Sequence, residues 1–313
     1  MKQLPSIILT LLILLTSTMS AKSNEAPVAF WGGDRGESGQ KGGTIALVLG
    51  GGGAKGAAHV GALKVIEEAG IQPDIIVGTS IGAIVGGLYS IGYSAAQLDS
   101  LFLSQQWLQL FTREAIIGNA IQQMLDSLVL TRTPLPTGEG SEMRRFACIA
   151  ADLRSLTEVV LTGDSMARNM RASMSIPALF KPVRYDNYVL YDGGLMNNLP
   201  VDVARQMGAD IVIAVDLTVN HHDGKETDDA FDINEILGDI IDLKSIKGLV
   251  GWLINRPDFK KYRENCKNVD VYINPQLEGY SATNFIRKDI NNMITIGERA
   301  AREQFEELTK FGK

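Results

Sequence analysis

The sequence predicts an α/β fold with a mostly parallel central sheet and helices on its faces. Two short apolar runs, residues 44–49 and 74–77, are each followed by a glycine-containing turn and a stretch of helical character. The run 210–216 has the clearest pattern of a strand buried on both faces. Alternating strands and helices favour parallel strands, because each crossover helix returns the chain to the same edge of the sheet.

The chain before the first predicted strand has the pattern of an exported protein. Lys2 gives a positive charge, residues 7–15 form an almost unbroken apolar run, and small residues follow up to Ala21. This order is typical of a secretory signal peptide, and the run is shorter than the about 20 apolar residues that span a bilayer. We expect residues 1–22 to be a removed signal peptide, residues 23–43 to be a flexible leader, and the mature protein to be periplasmic or secreted.

The remaining sequence predicts one domain, since it shows neither an internal repeat nor a linker-like stretch. Residues 44–220 form the predicted core, and residues 221–313 are predicted to be a helical extension packed on the same domain, with one strand at 269–273. The apolar stretches 102–130 and 231–254 are predicted to be helical core. Their alternatives are a cap over a binding pocket for the first, and an oligomer or membrane face for the second.

Composition and charge exclude several classes of protein. The net charge is −6, and the 30 lysines and arginines form no dense block, whereas a nucleic-acid-binding protein shows a basic face and a polybasic membrane anchor shows a basic cluster. Cys148 lies in an apolar run and Cys266 in a polar one, so no disulfide is expected. The histidines and cysteines lack the spacing of metal ligands, so no metal site is predicted.

Residues 78–82, Gly-Thr-Ser-Ile-Gly, match a G-x-S-x-G elbow between a predicted strand and a predicted helix. A sharp strand-to-helix turn holds the serine in a strained conformation and needs small neighbours at Gly78 and Gly82. The turn also directs the partial positive charge of the following helix N-terminus toward Ser80, where negative charge develops during nucleophilic attack. Ser80 is therefore the candidate nucleophile.

A glycine loop after the first strand supplies candidate hydrogen-bond donors. Gly51, Gly52 and Gly53 can present backbone N–H groups without an intervening Cβ, and such donors stabilise the oxyanion of ester hydrolysis by roughly 3 kcal/mol each. Lys55, which precedes Gly56, either adds positive charge to this site or braces the loop.

Asp192 is the candidate base. It follows a short predicted strand and precedes Gly193 and Gly194, so its carboxylate is expected in a tight turn at a strand end. A serine hydroxyl becomes a good nucleophile only when a base removes its proton, and partial burial beside Ser80 would raise the basicity of Asp192. The alternative is that Asp192-Gly193 is only a turn signal.

These three motifs, in this order, resemble those of the patatin-like phospholipase family, and the resemblance extends from about residue 44 to 217. The glycine block 51–56 is similar to the oxyanion block of that family, 78–82 to its nucleophile elbow, and 192–194 to its catalytic aspartate turn. Two further blocks, 171–177 and 198–201, also resemble the family.

The resemblance implies a three-layer α/β/α fold and a Ser80–Asp192 dyad that works without histidine or a cofactor. It implies an oxyanion loop at Gly51–Gly53 and hydrolysis of acyl esters in phospholipids or lysophospholipids, with transient contact to a membrane surface. The family often has arginine where this chain has Lys55. The supporting residues implied by the same motifs are Lys55, Gly56, Gly78, Gly82, Gly193 and Gly194.

Three other functions remain open from the sequence. His221 and His222 follow Asp192, which allows a Ser-Asp-His triad, although their loop is highly polar. The glycine block also fits G-x-G-x-x-G, but a nucleotide site needs an acidic residue at the end of the second strand, where the elbow lies instead. A membrane-binding or partner-binding protein is the third alternative, with the apolar stretch 231–254 as its contact surface.

Overall fold

The computed structural model describes residues 43–110, 119–132, 144–218 and 259–312, apart from positions 153, 156, 164, 178, 179, 186 and 284. The predicted signal peptide (1–22) and residues 23–42 of the predicted leader lie outside the described residues. So do His221, His222 and the apolar stretch 231–254.

The described residues form eight strands, numbered here in chain order: β1 (Ile45–Leu49), β2 (Ile75–Thr79), β3 (Arg145–Asp152), β4 (Thr157–Leu161), β5 (Val183–Tyr185), β6 (Tyr188–Asp192), β7 (Ile211–Val215) and β8 (Val271–Ile273). They also form ten α-helices: α1 (Ala57–Glu68), α2 (Ile81–Ser90), α3 (Ala95–Phe102), α4 (Gln105–Gln109), α5 (Ala120–Leu130), α6 (Met166–Ser173), α7 (Val201–Gln206), α8 (Phe259–Lys267), α9 (Arg287–Arg302) and α10 (Phe305–Thr309). Short 3-10 turns at Gly53–Gly56 and Gly193–Leu195 follow β1 and β6.

These strands make one sheet in the order β5-β6-β3-β2-β1-β7-β8, with β4 also paired to β3. The pairs β3–β2, β2–β1, β1–β7 and β7–β8 are parallel, and the pairings of β3 with β4, β3 with β6 and β5 with β6 are antiparallel. Along β1, Leu47 and Leu49 enter one core cluster together with α1, α2 and α9, whereas Ala46 and Val48 enter a second cluster together with α7 and α8. Both faces of the sheet are therefore covered by helices, and the predicted three-layer α/β/α fold with a mostly parallel sheet is confirmed.

One edge of β3 is shared by two strands, and this sharing positions the two candidate catalytic motifs. β4 pairs with β3 along residues 148–152 and occupies one edge. On the opposite edge, β2 pairs up to Ile149, whose partner is Thr79. Strand β6 continues that edge from Ala150, whose partner is Asp192. The ends of β2 and β6 therefore meet beside adjoining residues of β3.

The apolar stretch 102–130 contributes to the core where the structure describes it. Trp107 in α4 is buried and stacks on Phe102 with ring centroids 4.4 Å apart. Ile121 and Leu125 in α5 are also buried, which agrees with the predicted helical core. Among the described residues, no helix combines the length and the apolarity that are needed to cross a membrane.

Helix α9 packs closely against α1 through two glycines, and β8 adds a strand to the sheet, so residues 259–312 belong to the same packed unit. A Cβ on Gly297 would collide with the carbonyl of Ala58, and a Cβ on Gly61 would collide with the carbonyl of Ile294. The absence of side chains at these two positions lets the helix backbones approach each other.

We expect Gly297→Ala to lower the free energy of unfolding by about 1–3 kcal/mol, because the added methyl group forces α9 away from α1. Urea denaturation would measure this change. Asn291→Ala, on the exposed face of the same helix, is the control and should stay within about 0.5 kcal/mol of the wild type. Equal stability of Gly297→Ala and the wild type would contradict the close packing.

Candidate active site

Ser80 occupies a tight turn between β2 and α2 in a backbone conformation that residues other than glycine rarely adopt. Its φ is 56° and its ψ is −121°, and such strain persists only where the surroundings enforce it. A Cβ on Gly82 would collide with the Leu49 carbonyl, and a Cβ on Gly78 would collide with the Gly82 carbonyl. The glycines therefore let the turn pack against the end of β1, as the sequence pattern predicts for a nucleophile elbow.

The structure brings Ser80 and Asp192 into direct contact. The Ser80 hydroxyl donates a hydrogen bond to Oδ2 of Asp192, with 2.7 Å between the two oxygens. The other carboxylate oxygen, Oδ1, accepts from the backbone N–H of Gly194 at 2.8 Å. Both side chains are buried, at 6% and 3% relative exposure, so water competes weakly for this hydrogen bond.

Burial also sets the basicity of Asp192. Desolvation raises the pKa of its carboxyl from the ordinary 3.8 to about 6, while the hydrogen bonds from Ser80 and Gly194 oppose the rise. A base works best when its pKa lies near the operating pH. The carboxylate is therefore a considerably better proton acceptor here than an exposed aspartate, yet it stays ionised at neutral pH.

The glycine loop offers fewer free donors than the sequence predicts. The N–H of Gly51 already donates to the carbonyl of Asn198 at 3.1 Å, so Gly51 is not available as an oxyanion donor. Among the described residues, no acceptor binds the N–H of Gly52 or Gly53. The following amide, of Ala54, donates to the Ala282 carbonyl at 2.7 Å. The candidate oxyanion donors of this loop are therefore reduced to Gly52 and Gly53.

Asn198 contacts the glycine loop, although it lies outside the three catalytic motifs of the sequence. Its backbone carbonyl accepts from the Gly51 N–H, and its side-chain Nδ2 donates to the Gly51 carbonyl at 3.3 Å. The preceding carbonyl, of Asn197, accepts from the Thr79 hydroxyl at 2.8 Å. The pair 197–198 thereby links the elbow to the loop. The only signal in the sequence was the family resemblance of the block 198–201.

The remaining predicted residues support these motifs. Gly56 faces the Ile81 side chain, and Gly193 faces the Ile149 carbonyl, where a Cβ would collide in each case. Lys55 is buried, which lowers the pKa of its ammonium group, and the nearby Glu278 carboxylate opposes this shift. Both predicted roles of Lys55, charge and bracing, are compatible with this position.

His59 braces the glycine loop and does not contact the serine. Its Nε2 lies 2.7 Å from the carbonyl oxygen of Gly50, to which the neutral ring donates. Complete burial lowers the pKa of His59 to about 4, so the ring stays neutral near pH 7. Of the three histidines, this is the one that the structure describes, and the described side chain that accepts from the Ser80 hydroxyl is Asp192.

The two cysteines do not form a disulfide with each other. Cys148 is buried in β3 and Cys266 is half-buried in α8, and both are free thiols. Within the ranges that the structure describes, no three histidine, cysteine or acidic side chains are grouped so that they could hold a metal ion.

The family model described as patatin-like phospholipase matches residues 47–205, about half of the chain. Patatin-like phospholipase domain-containing protein 6 of Mus musculus is 35% identical over 195 residues, which is 56% of this chain and 14% of that protein. Patatin-like phospholipase domain-containing protein 7 of Rattus norvegicus is 38% identical over 192 residues, which is 56% of this chain and 14% of that protein. Lysophospholipase NTE1 of Kluyveromyces lactis is 33% identical over 190 residues, 55% of this chain and 12% of that protein. The chain thus spans about one seventh of the length of these relatives.

Among solved structures, VipD from Legionella pneumophila superposes with a TM-score of 0.47 at 14% identity, over 85% of this chain and 67% of VipD. The type III effector protein ExoU superposes with a TM-score of 0.42 at 12% identity, over 85% of this chain and 53% of ExoU.

Proposed function

Because the chain belongs to the patatin-like phospholipase family, we propose that it is a lipid acyl hydrolase with Ser80 as nucleophile and Asp192 as base. Its proposed substrates are the fatty-acyl esters of phospholipids or lysophospholipids. The observation that carries the proposal is the buried 2.7 Å hydrogen bond from the Ser80 hydroxyl to Asp192, located at a strained strand-to-helix turn.

In the proposed acylation step, the Ser80 oxygen attacks the ester carbonyl carbon while Asp192 accepts the hydroxyl proton. The carbonyl oxygen becomes an oxyanion, which the N–H groups of Gly52 and Gly53 stabilise by roughly 3 kcal/mol each. The tetrahedral intermediate then collapses, the bond to the leaving alcohol breaks, and Asp192 returns the proton to that alcohol. The product is a fatty-acyl ester of Ser80.

Deacylation repeats this chemistry with water as the nucleophile. Asp192 accepts a proton from the water as it attacks the acyl-serine ester, and the same loop stabilises the second oxyanion. Collapse of this intermediate releases the fatty acid, and the proton returns from Asp192 to Ser80. The cycle therefore uses one carboxylate as acid and base in turn, and no residue of the mechanism changes its net charge over a full turnover.

The pH dependence of kcat/KM should follow the ionisation of Asp192. The pKa of this carboxyl is about 6, and its ionised form is the base, so activity should rise as pH increases through about 6 and level off above 7. Initial rates on a water-soluble aryl ester between pH 4 and pH 9 would test this. A midpoint that moves or disappears in the double variant His221→Ala, His222→Ala would contradict the assignment.

The experiment that tests the function is fatty-acid release from mixed phospholipid and lysophospholipid vesicles. Wild type, Ser80→Ala and the double variant His221→Ala, His222→Ala would be compared. Ser90→Ala is the matched control, because Ser90 is a buried serine at the end of α2 whose hydroxyl donates to the nearby Gly87 carbonyl. Loss of activity in Ser80→Ala alone is the expected result.

Each other outcome has a distinct meaning. Loss in both Ser80→Ala and the double histidine variant would support the Ser-Asp-His alternative. Absence of release from a folded wild-type protein would reject a phospholipid or lysophospholipid substrate and favour another acyl ester or a binding role.

We also propose that the protein is exported and meets its substrate at a membrane surface. This proposal rests on the signal-peptide pattern of residues 1–22. Sequencing the N-terminus of the protein recovered from the periplasm or medium would test it. Recovery with Met1 intact from the cytoplasm alone would reject it.

A further inference from the structure

The end of helix α6 contacts both residues of the dyad through their backbones. Ser173 is the last residue of α6 and is completely buried. Its hydroxyl oxygen accepts a hydrogen bond from the backbone N–H of Ser80, with 2.8 Å between the atoms. Two residues later, the carbonyl of Ser175 accepts from the backbone N–H of Asp192 at 3.0 Å. Nucleophile and base are thus held by one short segment.

The hydrogen bond to Ser173 matters because Ser80 lies in the turn between a strand and a helix and belongs to neither. Strand β2 ends at Thr79 and α2 begins at Ile81, so neither the sheet nor the helix supplies a partner for the Ser80 N–H. Among the described residues, the Ser173 hydroxyl is its acceptor. A buried N–H without an acceptor carries the full cost of its desolvation, which would favour relaxation of the strained φ of 56°.

The segment after α6 is itself anchored by a buried arginine. The Arg171 guanidinium donates to the Ser175 hydroxyl at 2.6 Å and to the Lys181 carbonyl at 3.3 Å. It also lies over the Phe180 ring, 5.1 Å from the ring centroid. These contacts hold the turn at 173–175 and do not involve the Ser173 hydroxyl, whose oxygen accepts from the Ser80 N–H.

Ser173 does not take part in the proton path of the mechanism. Its oxygen is bonded to the backbone nitrogen of Ser80, whereas the reacting Ser80 hydroxyl is bonded to Asp192. The direct contact of the Ser173 hydroxyl is with the Ser80 backbone, so we expect it to affect the reaction through the conformation of Ser80.

We propose that Ser173 is a positioning residue that holds the Ser80 backbone in its strained conformation and so keeps the Ser80 hydroxyl aligned with Asp192. The inference rests on the proposed function, since it concerns the same nucleophile. It predicts that removing the Ser173 hydroxyl slows every reaction of the Ser80 oxygen, including reactions that involve no lipid.

The test uses Ser173→Ala, which removes the acceptor, and Ser173→Cys, which keeps the shape of the side chain but accepts hydrogen bonds weakly. Ser90→Ala is the matched control for loss of a buried serine hydroxyl. Three quantities would be measured for each full-length variant: the rate of Ser80 labelling by a fluorophosphonate probe, kcat and KM on a water-soluble aryl ester, and the melting temperature.

We expect Ser173→Ala to label about 10- to 100-fold more slowly than wild type, with kcat reduced in parallel and KM unchanged. Ser173→Cys should lie between wild type and Ser173→Ala, and it also serves as the test if the alanine variant does not fold. Ser90→Ala should label at the wild-type rate. This combination separates positioning from a general loss of stability, which would not change the labelling rate of the folded protein.

Equal labelling rates in wild type and the Ser173 variants would overturn the inference and leave the proposed function intact. A raised KM with unchanged kcat would also overturn it, because Ser173 would then act on substrate binding. A folded wild type in which the probe does not label Ser80 would overturn the proposed function and, with it, this inference.

Discussion

Replacing Asp192 with asparagine should reduce ester hydrolysis by about 10²- to 10⁴-fold and at the same time make the folded protein more stable at pH 8. The activity falls because the amide cannot accept the Ser80 proton in either step of the proposed mechanism. The local geometry should survive, since the amide oxygen can still accept from the Gly194 N–H and the amide nitrogen can donate to the Ser80 hydroxyl.

The gain in stability follows from the raised pKa of Asp192. In the folded protein this pKa is about 6, against the ordinary 3.8, so the folded state binds the proton more tightly than the unfolded chain does. The resulting penalty is absent below pH 3.8, grows as pH rises toward 6, and is complete above 6. The difference of about two pKa units corresponds to about 3 kcal/mol, which asparagine removes at pH 8.

Denaturant unfolding of wild type and Asp192→Asn at pH 8 and at pH 5 would measure this effect. The stability difference should be largest at pH 8 and smaller at pH 5, where the wild-type carboxyl is mostly protonated in the folded state. If Asp192→Asn were less stable than wild type at pH 8, the assigned environment of this carboxylate would be wrong. If the variant retained wild-type turnover, the assigned role of the carboxylate as the base would be wrong.

Gly82→Ala should have the second large effect, because it separates the nucleophile from the glycine loop. The added Cβ would collide with the carbonyl of Leu49 and approach that of Gly50 to 2.7 Å. Both are backbone atoms at the end of β1, so no side-chain rotation relieves the contact. We expect a loss of about 3 kcal/mol in the free energy of unfolding and a fall in kcat of roughly 10²-fold as the elbow moves.

The matched control for Gly82→Ala is Gly87→Ala in the same helix. There the added Cβ meets the side chains of Met170 and Phe146 and no backbone atom, and the flexible Met170 side chain can move aside. Urea unfolding and ester hydrolysis of the two variants would be compared. Similar losses in both would mean that the contact between the elbow and β1 has no special importance.

Local patterns in the sequence were sufficient for the fold class and for the motifs. The buried strand pattern, the elbow 78–82 and the turn at Asp192 each depend on residues that are neighbours in the chain, so their requirements appear as short motifs. The predicted three-layer α/β/α fold and the predicted family resemblance are both confirmed. The catalytic roles of Ser80 and Asp192 remain predictions that the variants above test.

The contacts that complete the site depend on the tertiary structure, because they join residues far apart in the chain. The sequence indicates that Gly51 could donate its N–H, but only the folded chain shows the Asn198 carbonyl occupying it. The hydrogen bond between Ser80 and Ser173 joins residues 93 positions apart, and the Ala54 N–H donates to Ala282, which lies outside the family match. A single hydroxyl or carbonyl group produces no recognisable motif in the sequence. Its hydrogen-bond partner is therefore determined only when the sheet brings the strand ends together.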